Sequence, residues 1–401
     1  MPRAGDRSGR YHRHRHWAAA LAATHRGSRI GRTLMDETIL DAFRQNGLSR
    51  RAFLKFCAAT ASLLALPPAA AAAMAEKLAI TPRPTVIYLS YQECTGCLES
   101  MTRSFSPTIE HLMFNNISLA FNDTLQAAAG EAAEAARKEA MRKAWGKYIL
   151  IVDGAVPMGA GGAYCVAAGQ SAVDDLRHAA QGAAAIIAVG TCAAFGGVPY
   201  AAPNPTGAVP VSEVIRNRPI INVSGCPPIP EVMTGVVVYY LSFGMPALDR
   251  QGRPLTFYGN TIHDRCYRRP FYDEGRFAHT FDDQGARNGW CLYELGCKGP
   301  VTYNACATLK WNQGTSFPIQ SGHGCLGCSE PDFWDKGGFY RPLPAATGHW
   351  PRGEVLGGAA LGGVVVGAGA AALARSRQHA VAAKSAKEGS SPPPREDSHE
   401  H

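Results

Sequence analysis

The sequence predicts an α/β protein with a doubly wound parallel sheet of the flavodoxin-like kind, followed by a loop-rich region. Short apolar runs rich in Ile and Val indicate buried strands. Alanine-rich helical stretches between them, at 125–145 and 171–182, are typical of right-handed crossovers. The predicted strands are PTVIYLS (84–90), KYILIVDG (147–154), AAAIIAVG (183–190) and RPIINVSG (218–225).

The first crossover is predicted to contain a helix in SPTIEHLM (106–113). Ser106 would cap this helix and Pro107 would occupy its first turn. Because the predicted strands alternate with helical stretches, we assign residues 76–250 to the sheet domain.

A loop-rich domain is predicted for residues 251–345, because the alternating pattern stops near Gly252. So few regular elements cannot build their own hydrophobic core, and bound metal would stabilise the region by cross-linking its loops. The twelve cysteines of the chain fit a metalloprotein or a disulfide scaffold.

The N-terminal segment, residues 1–75, is interpreted as an extension followed by a twin-arginine export signal. Arg50 and Arg51 precede Phe53, an apolar stretch and small residues suited to a cleavage site near Ala75. An ordinary amphipathic helix fits less well, since we expect no polar face in this stretch. Met35 would be a more usual start, which makes residues 1–34 an upstream extension.

The C-terminal segment, residues 346–401, is interpreted as a membrane anchor with a polar tail. Val355–Ala374 is uncharged and long enough to span a bilayer as one helix, although a Gly-rich linker is the alternative. Arg375 and Arg377 follow it and favour a cytoplasmic C-terminus.

The net charge of +8 does not indicate a nucleic-acid partner. Much of the basic excess lies in the first 55 residues, outside the predicted globular part.

Four cysteines follow predicted strands. Because the carboxyl ends of parallel strands meet at one edge of a sheet, their thiolates should converge there. Four thiolates suit a tetrahedral zinc ion or a cubane iron–sulfur cluster, and the spacing alone favours neither. The four are Cys94, Cys97, Cys192 and Cys226.

The loop-rich region contains two further sets of candidate ligands. His263 stands in an H-x-x-C spacing, and a histidine ligand raises the potential of an iron–sulfur cluster. The second set has three thiolates, enough for a three-iron cluster, whereas zinc would need a fourth ligand such as His323. The sets are His263, Cys266, Cys291 and Cys297, and then Cys306, Cys325 and Cys328.

From Pro84 to Tyr340 the chain resembles the small, electron-transferring subunit of exported, membrane-anchored [NiFe] uptake hydrogenases. Seven stretches support the resemblance: ECTGC, GTCAAFGGV, APNPTG, GCPPIPEVMTGVVVYYL, IHDRCYRRP, GWCLYELGCKGPVTYNAC and SGHGCLGCSEPDFWD.

The resemblance implies three clusters and no catalytic residue in this chain. Cys94, Cys97, Cys192 and Cys226 would bind a proximal [4Fe–4S] cluster. His263, Cys266, Cys291 and Cys297 would bind a distal [4Fe–4S] cluster, and Cys306, Cys325 and Cys328 a medial [3Fe–4S] cluster, with Pro318 replacing a fourth medial cysteine.

The resemblance also implies partners and a location. A large subunit would carry the Ni–Fe site, and a membrane cytochrome b-type or quinone-linked partner would accept the electrons. The protein would lie on the periplasmic face of the cell membrane after twin-arginine export.

The sequence departs from parts of the family pattern. Gly96 and Gly197 stand where oxygen-tolerant relatives carry extra cysteines, which predicts an ordinary proximal cubane and an oxygen-sensitive enzyme. Asp153 replaces a common glutamate. Cys57 and Cys165 are interpreted as small apolar filler.

Three rival functions are weighed. A structural zinc module would bind zinc and show no visible absorption. A cluster-bearing subunit of a quinone reductase should lack the segment from His263 to Cys328. A cytoplasmic hydrogen-sensing relative should lack the export signal.

Overall fold

The computed structural model describes residues 37–335 and 338–343. The described residues belong to one compact unit that ends at Leu343. The predicted extension 1–34 and the predicted anchor and tail from 346 to 401 lie outside the described residues. Within the described ranges, no helix has both the length and the apolar character needed to cross a membrane.

A five-stranded parallel sheet forms the centre of the unit, in the order β2-β1-β3-β7-β9. Numbered along the chain within the sheet, this order is 2-1-3-4-5, the flavodoxin-like arrangement. The predicted fold class is confirmed for the described part. The strands are Thr85–Ser90 (β1), Ser118–Phe121 (β2), Tyr148–Asp153 (β3), Val156–Pro157 (β4), Val166–Ala167 (β5), Gln170–Ser171 (β6), Ala183–Val189 (β7), Ala208–Val209 (β8) and Ile220–Val223 (β9).

Helices cover both faces of the sheet, which explains why its strands are continuous apolar runs. Gly130–Lys143 and Ala172–Gly182 pack on one face, and Pro230–Phe243 packs on the other. Shorter helices, including 3₁₀ and π turns, are Gly96–Thr102, Ile109–His111, Leu112–Asn116, Gly159–Gly162, Gly190–Phe195, Gly197–Tyr200, Val211–Val214, Leu255–Tyr258, His263–Arg265, Arg269–Asp273, Gln284–Arg287, Tyr293–Leu295 and Gly299–Val301.

All four predicted strands are present, but two local expectations need correction. The helix in the first crossover is capped by Thr108, whose side chain accepts a hydrogen bond from the His111 N–H. Ser106 and Pro107 therefore precede the cap instead of forming it. The edge strand β2 was not predicted, because it has only four residues, all half-buried, and no clear alternation of apolar and polar side chains.

The segment interpreted as an export signal folds into three helices, Ile39–Gln45, Arg50–Leu63 and Pro68–Ile80. Phe53 and Cys57 are buried in the main apolar cluster, whereas Leu54 is 47% exposed. Helix Arg50–Leu63 thus has one face buried in the apolar cluster and one face exposed to solvent. This is contrary to the expectation that the stretch has no polar face. The burial of Cys57 agrees with its prediction as apolar filler.

The three N-terminal helices pack on the sheet domain. The last two contact helix Pro230–Phe243. The Phe56 ring stacks on His111 at 5.0 Å between centroids, and Phe43 meets the same imidazole edge-on at 4.7 Å. The Asn46 amide donates to the carboxamide oxygen of Asn115 at 2.9 Å.

A buried ion pair fixes the chain just before the first predicted ligand. The Arg137 guanidinium donates to Asp175 at 2.6 Å and lies over the Phe121 ring at 5.3 Å. The Tyr91 hydroxyl, three residues before Cys94, donates to the same Asp175 carboxylate at 3.3 Å. Removing either partner of the buried pair would leave an uncompensated charge, so the loss of Arg137 or Asp175 would be strongly destabilising.

We expect Phe53→Ala to loosen the N-terminal helices selectively. Phe53 is 2% exposed, and removing a buried Phe side chain costs about 3–5 kcal/mol. Amide hydrogen exchange in Arg50–Leu63 should rise while the sheet strands stay protected. Leu54→Ala, at the neighbouring exposed position, is the matched control and should leave exchange unchanged. Equal exchange in the two variants would contradict the prediction.

Candidate metal centres

The register of the sheet brings the first four predicted ligands to one edge. Ser90 pairs with Asp153, Asp153 with Val189, and Val189 with Val223, so four strands end at the same level. The segments that follow β1, β7 and β9 carry the thiols, which lie close enough for their charges to interact. The structure thus assembles Cys94, Cys97, Cys192 and Cys226, as predicted.

Burial dominates the electrostatics of these thiols. It raises the pKa of Cys97 well above its usual range, that of Cys192 to about 11 and that of Cys226 to about 12. Thiols with such pKa values keep their protons at neutral pH. Binding of a metal group would therefore release protons. The positive charge of the metal would have to offset the free-energy cost of burying the charged thiolates.

Glycines make room for these sulfurs. A Cβ atom on Gly190 would lie 2.5 Å from the Cys97 Sγ, and one on Gly197 would lie 2.7 Å from the Cys192 Sγ. Both glycines have positive φ, +84° and +53°, a conformation that side-chain-bearing residues rarely adopt. The backbone therefore approaches the sulfurs of Cys97 and Cys192 closely, which fits a sulfur-ligated group.

Asp153 lies beneath these thiols at the end of β3. Its carboxylate accepts a hydrogen bond from the Tyr88 hydroxyl at 3.1 Å. Burial raises the pKa of Asp153 to about 7, and the nearby Glu93 charge adds to the effect. A Cβ atom on Gly190 would lie 2.5 Å from the Cys97 Sγ and 3.5 Å from the Asp153 Oδ1, so the replacement noticed in the sequence lies beside a predicted ligand.

A second set of predicted ligands surrounds a small cavity in the loop-rich region. Burial lowers the pKa of His263, which favours the neutral imidazole that can bind metal. The His263 ring also meets Tyr272 edge-on at 4.6 Å. The cavity is lined by His263, Cys266, Cys291 and Cys297, together with Arg268 and Ile319.

Arg268 is a residue that sequence reasoning missed. Its guanidinium is buried and donates to the Trp290 carbonyl and the Tyr267 hydroxyl at 2.8 Å each. Burial raises the pKa of Cys266, and the Arg268 charge partly offsets that increase. Arg268 was missed because an arginine is usually exposed. The only signal in the sequence was its place in the C-Y-R-R-P motif.

The third set gathers beside the second. The Cys325 Sγ accepts a hydrogen bond from the Gly327 N–H at 3.4 Å. Burial raises the pKa of Cys306 to about 12, and the Cys328 charge adds to it. The structure thus brings Cys306, Cys325 and Cys328 together.

His323 does not complete this set. Its Nδ1 pairs with the Gly324 carbonyl at 2.8 Å and its Nε2 with the Tyr340 hydroxyl at 3.4 Å. The ring also stacks against Phe281. Both ring nitrogens are engaged, which leaves neither available as the fourth zinc ligand considered from the sequence.

The three sets lie in series. The Thr191 hydroxyl, directly before Cys192 of the first set, donates to the Cys328 carbonyl of the third. The Cys325 N–H donates to the Cys297 Sγ of the second set at 3.3 Å. Hydrogen bonds therefore join the ligand-bearing segments of adjacent sets.

None of the twelve cysteines, all within the described ranges, forms a disulfide. In the same ranges, no three His, Cys, Asp or Glu side chains gather around a point where one metal ion could be held. In an iron–sulfur cluster the thiolates bind different iron atoms, so they need not share one ion.

Two protein families match consecutive parts of the chain. Residues 258–341 match the family described as the C-terminal part of the NiFe/NiFeSe hydrogenase small subunit. Residues 94–240 match the family described as NADH ubiquinone oxidoreductase, 20 Kd subunit. The sheet half is thus shared with the quinone-reductase family, whereas the loop-rich half is matched by the hydrogenase family.

Relatives match most of the chain. The uptake hydrogenase small subunit of Azotobacter vinelandii is 52% identical over 82% of this chain and 92% of its own length. That of Cupriavidus necator is 50% identical over 85% of this chain and 95% of its own. The [NiFeSe] hydrogenase structure from Desulfovibrio vulgaris Hildenborough superposes with a TM-score of 0.61 at 39% identity, covering 65% of this chain and 98% of that one.

We expect Gly190→Ala to prevent metal loading at the sheet edge, because its new methyl group would collide with the Cys97 Sγ. Gly146→Ala is the matched control, since Gly146 has a similar φ of +79° but open space around it. Both variants bear backbone strain of about 1–2 kcal/mol. Iron analysis should show a loss of about four atoms in the first variant only. Full iron content in Gly190→Ala would contradict the fit.

Proposed function

Because the chain belongs to the small-subunit family of uptake [NiFe] hydrogenases, we propose that it relays electrons released from H₂ at the Ni–Fe site of a large subunit. It would do so as the electron-transfer half of a heterodimer, with no catalytic residue of its own.

One observation carries this proposal: eleven predicted ligands form three sets, and adjacent sets are joined by hydrogen bonds from Thr191 to Cys328 and from Cys325 to Cys297. A relay needs carriers in close succession. A structural zinc site needs only one closed set of four ligands.

The ligand assignment we propose follows the three sets. Cys94, Cys97, Cys192 and Cys226 would hold the proximal [4Fe–4S] cluster, Cys306, Cys325 and Cys328 the medial [3Fe–4S] cluster, and His263, Cys266, Cys291 and Cys297 the distal [4Fe–4S] cluster. When bound, these clusters would supply one-electron carriers whose potentials depend on ligand type, hydrogen bonds to sulfur and burial.

The chain's own residues would tune each site differently. At the distal site, neutral His263 would replace one thiolate charge and Arg268 would offset the others. The backbone N–H of Gly299 and that of Cys325 donate to the Cys297 Sγ at 3.4 and 3.3 Å. Such donors stabilise charge on sulfur without adding a side chain to the site.

We further propose export by the twin-arginine route and attachment to the periplasmic face of the membrane, with the C-terminus cytoplasmic. Arg50 and Arg51 are exposed at the start of their helix, so a receptor could reach them on the folded chain. A span at Val355–Ala374 would place the protein beside a cytochrome b-type or quinone-linked acceptor.

A quinone-reductase subunit is the second candidate, since residues 94–240 match that family. The match of residues 258–341 to the hydrogenase family favours the hydrogenase function.

The proposal is tested on protein purified with its large subunit, by metal analysis and EPR of the oxidised sample. We expect about eleven iron atoms, four plus four plus three, and a three-iron signal. Zinc in place of iron, without that signal, would refute the electron-transfer function.

We also propose that the enzyme is oxygen-sensitive. A Cβ on Gly96 would lie 3.1 Å from the Cys94 Sγ, and one on Gly197 2.7 Å from the Cys192 Sγ, so these positions adjoin the proximal sulfurs. With glycine at both, no extra thiolate is available there. H₂ oxidation should stop when air is admitted to the assay, and sustained turnover under air would overturn the prediction.

A further inference from the structure

A buried hydroxyl joins three segments that carry proposed ligands. Thr191, 1% exposed, lies directly before Cys192. Its Oγ1 donates to the Cys328 carbonyl and accepts from the Gly225 N–H at 2.9 Å, while its own N–H donates to the Gly225 carbonyl at 2.9 Å. One side chain thus connects the segments of Cys192, Cys226 and Cys328.

A second buried contact runs beside the first. The Ser224 hydroxyl donates to the Ser329 carbonyl at 2.8 Å, and the Tyr258 hydroxyl donates to the Ser224 carbonyl at 2.7 Å. Arg253 donates to the same Ser329 carbonyl at 3.2 Å and pairs with Glu330 at 2.8 Å. The Cys328 loop is therefore held against the sheet edge at two adjacent residues.

These bonds join the segments that carry the proximal and medial ligands. Thr191 bonds the residue directly before Cys226 and the carbonyl of Cys328 itself.

We propose that Thr191 is a positioning residue, whose hydroxyl clamps the Cys328 loop to the Cys226 segment and thereby fixes the proximal and medial groups relative to each other. The inference rests on the proposed electron-transfer function and adds a residue that binds no iron. Its side chain acts only through the backbone of the ligand-bearing segments.

The chemistry of the clamp explains why a hydroxyl is needed. It is the donor for one carbonyl and the acceptor for one amide, a combination that valine, of the same shape, cannot provide. Thr191→Val would leave the Gly225 N–H and the Cys328 carbonyl buried without these partners, which is costly. Serine would keep both bonds and lose only a methyl group.

The test compares Thr191→Val and Thr191→Ser in the complex with the large subunit. Thr234→Val is the matched control, because Thr234 is also fully buried and loses the same hydroxyl. The Thr234 hydroxyl bonds Ser104 and carbonyls of its own helix.

Four measurements separate positioning from general destabilisation. We expect Thr191→Val to change the EPR line shape and the midpoint potential of the three-iron signal. It should also slow H₂-driven dye reduction relative to Thr191→Ser, because the proximal and medial groups would no longer be held in the same relative position. Exchange of D₂ with water, which takes place on the large subunit, should be unchanged. Thr191→Ser and Thr234→Val should resemble the unmodified protein.

The outcomes are distinct. A Thr191→Val protein with unaltered EPR and dye reduction would overturn the clamp, as would equal effects in Thr191→Val and Thr234→Val. Absence of the three-iron signal in the unmodified complex would instead refute the proposed function.

If Thr191→Val fails to assemble, Thr191→Ala takes its place, because alanine also removes the hydroxyl but leaves room for water. The clamp predicts a shifted medial signal in Thr191→Ala and none in Thr191→Ser. A Thr191→Ala spectrum identical to that of Thr191→Ser would overturn it.

Discussion

The register of the parallel sheet is the constraint on which the candidate centres depend. Ser90, Asp153, Val189 and Val223 lie in one row, so the loops after β1, β7 and β9 emerge at the same level. A shift of one residue would turn the buried side chains to the opposite face and separate the thiols. Asp153 marks the level at which the apolar strands give way to the polar site.

Burying this many thiols has an energetic consequence. Burial raises the pKa of Cys97 and Cys325 well above the usual range, so the thiolate forms are disfavoured without a bound cation. Metal groups would reverse this preference and cross-link the loops in which the thiols lie. The loop-rich region can then remain ordered with few regular elements, since Cys297, Cys306 and Cys325 already share the main apolar cluster with the sheet.

The N-terminal helices pack into that same apolar cluster. The proposed export signal therefore has some residues exposed to solvent and others buried in the domain. Arg50 and Arg51 are exposed, while Phe53 of the same motif is buried against Phe43 at 5.1 Å between ring centroids. Ala75, near the proposed cleavage point, is also buried. A protease could therefore reach that point only after the helix Pro68–Ile80 had moved away from the domain.

The sequence by itself determined the four apolar strands and their parallel arrangement, because burial on both faces of a sheet leaves a local apolar signature. The eleven candidate ligands were grouped by their positions after these strands and by their spacing in the loop-rich region. Only the tertiary structure decided the Thr108 cap, the edge strand β2 and the two-faced packing of Arg50–Leu63. It also decided the roles of Arg268 and Thr191. Thr191 and its partner Cys328 are 137 positions apart in the sequence, and no local periodicity encodes such a contact.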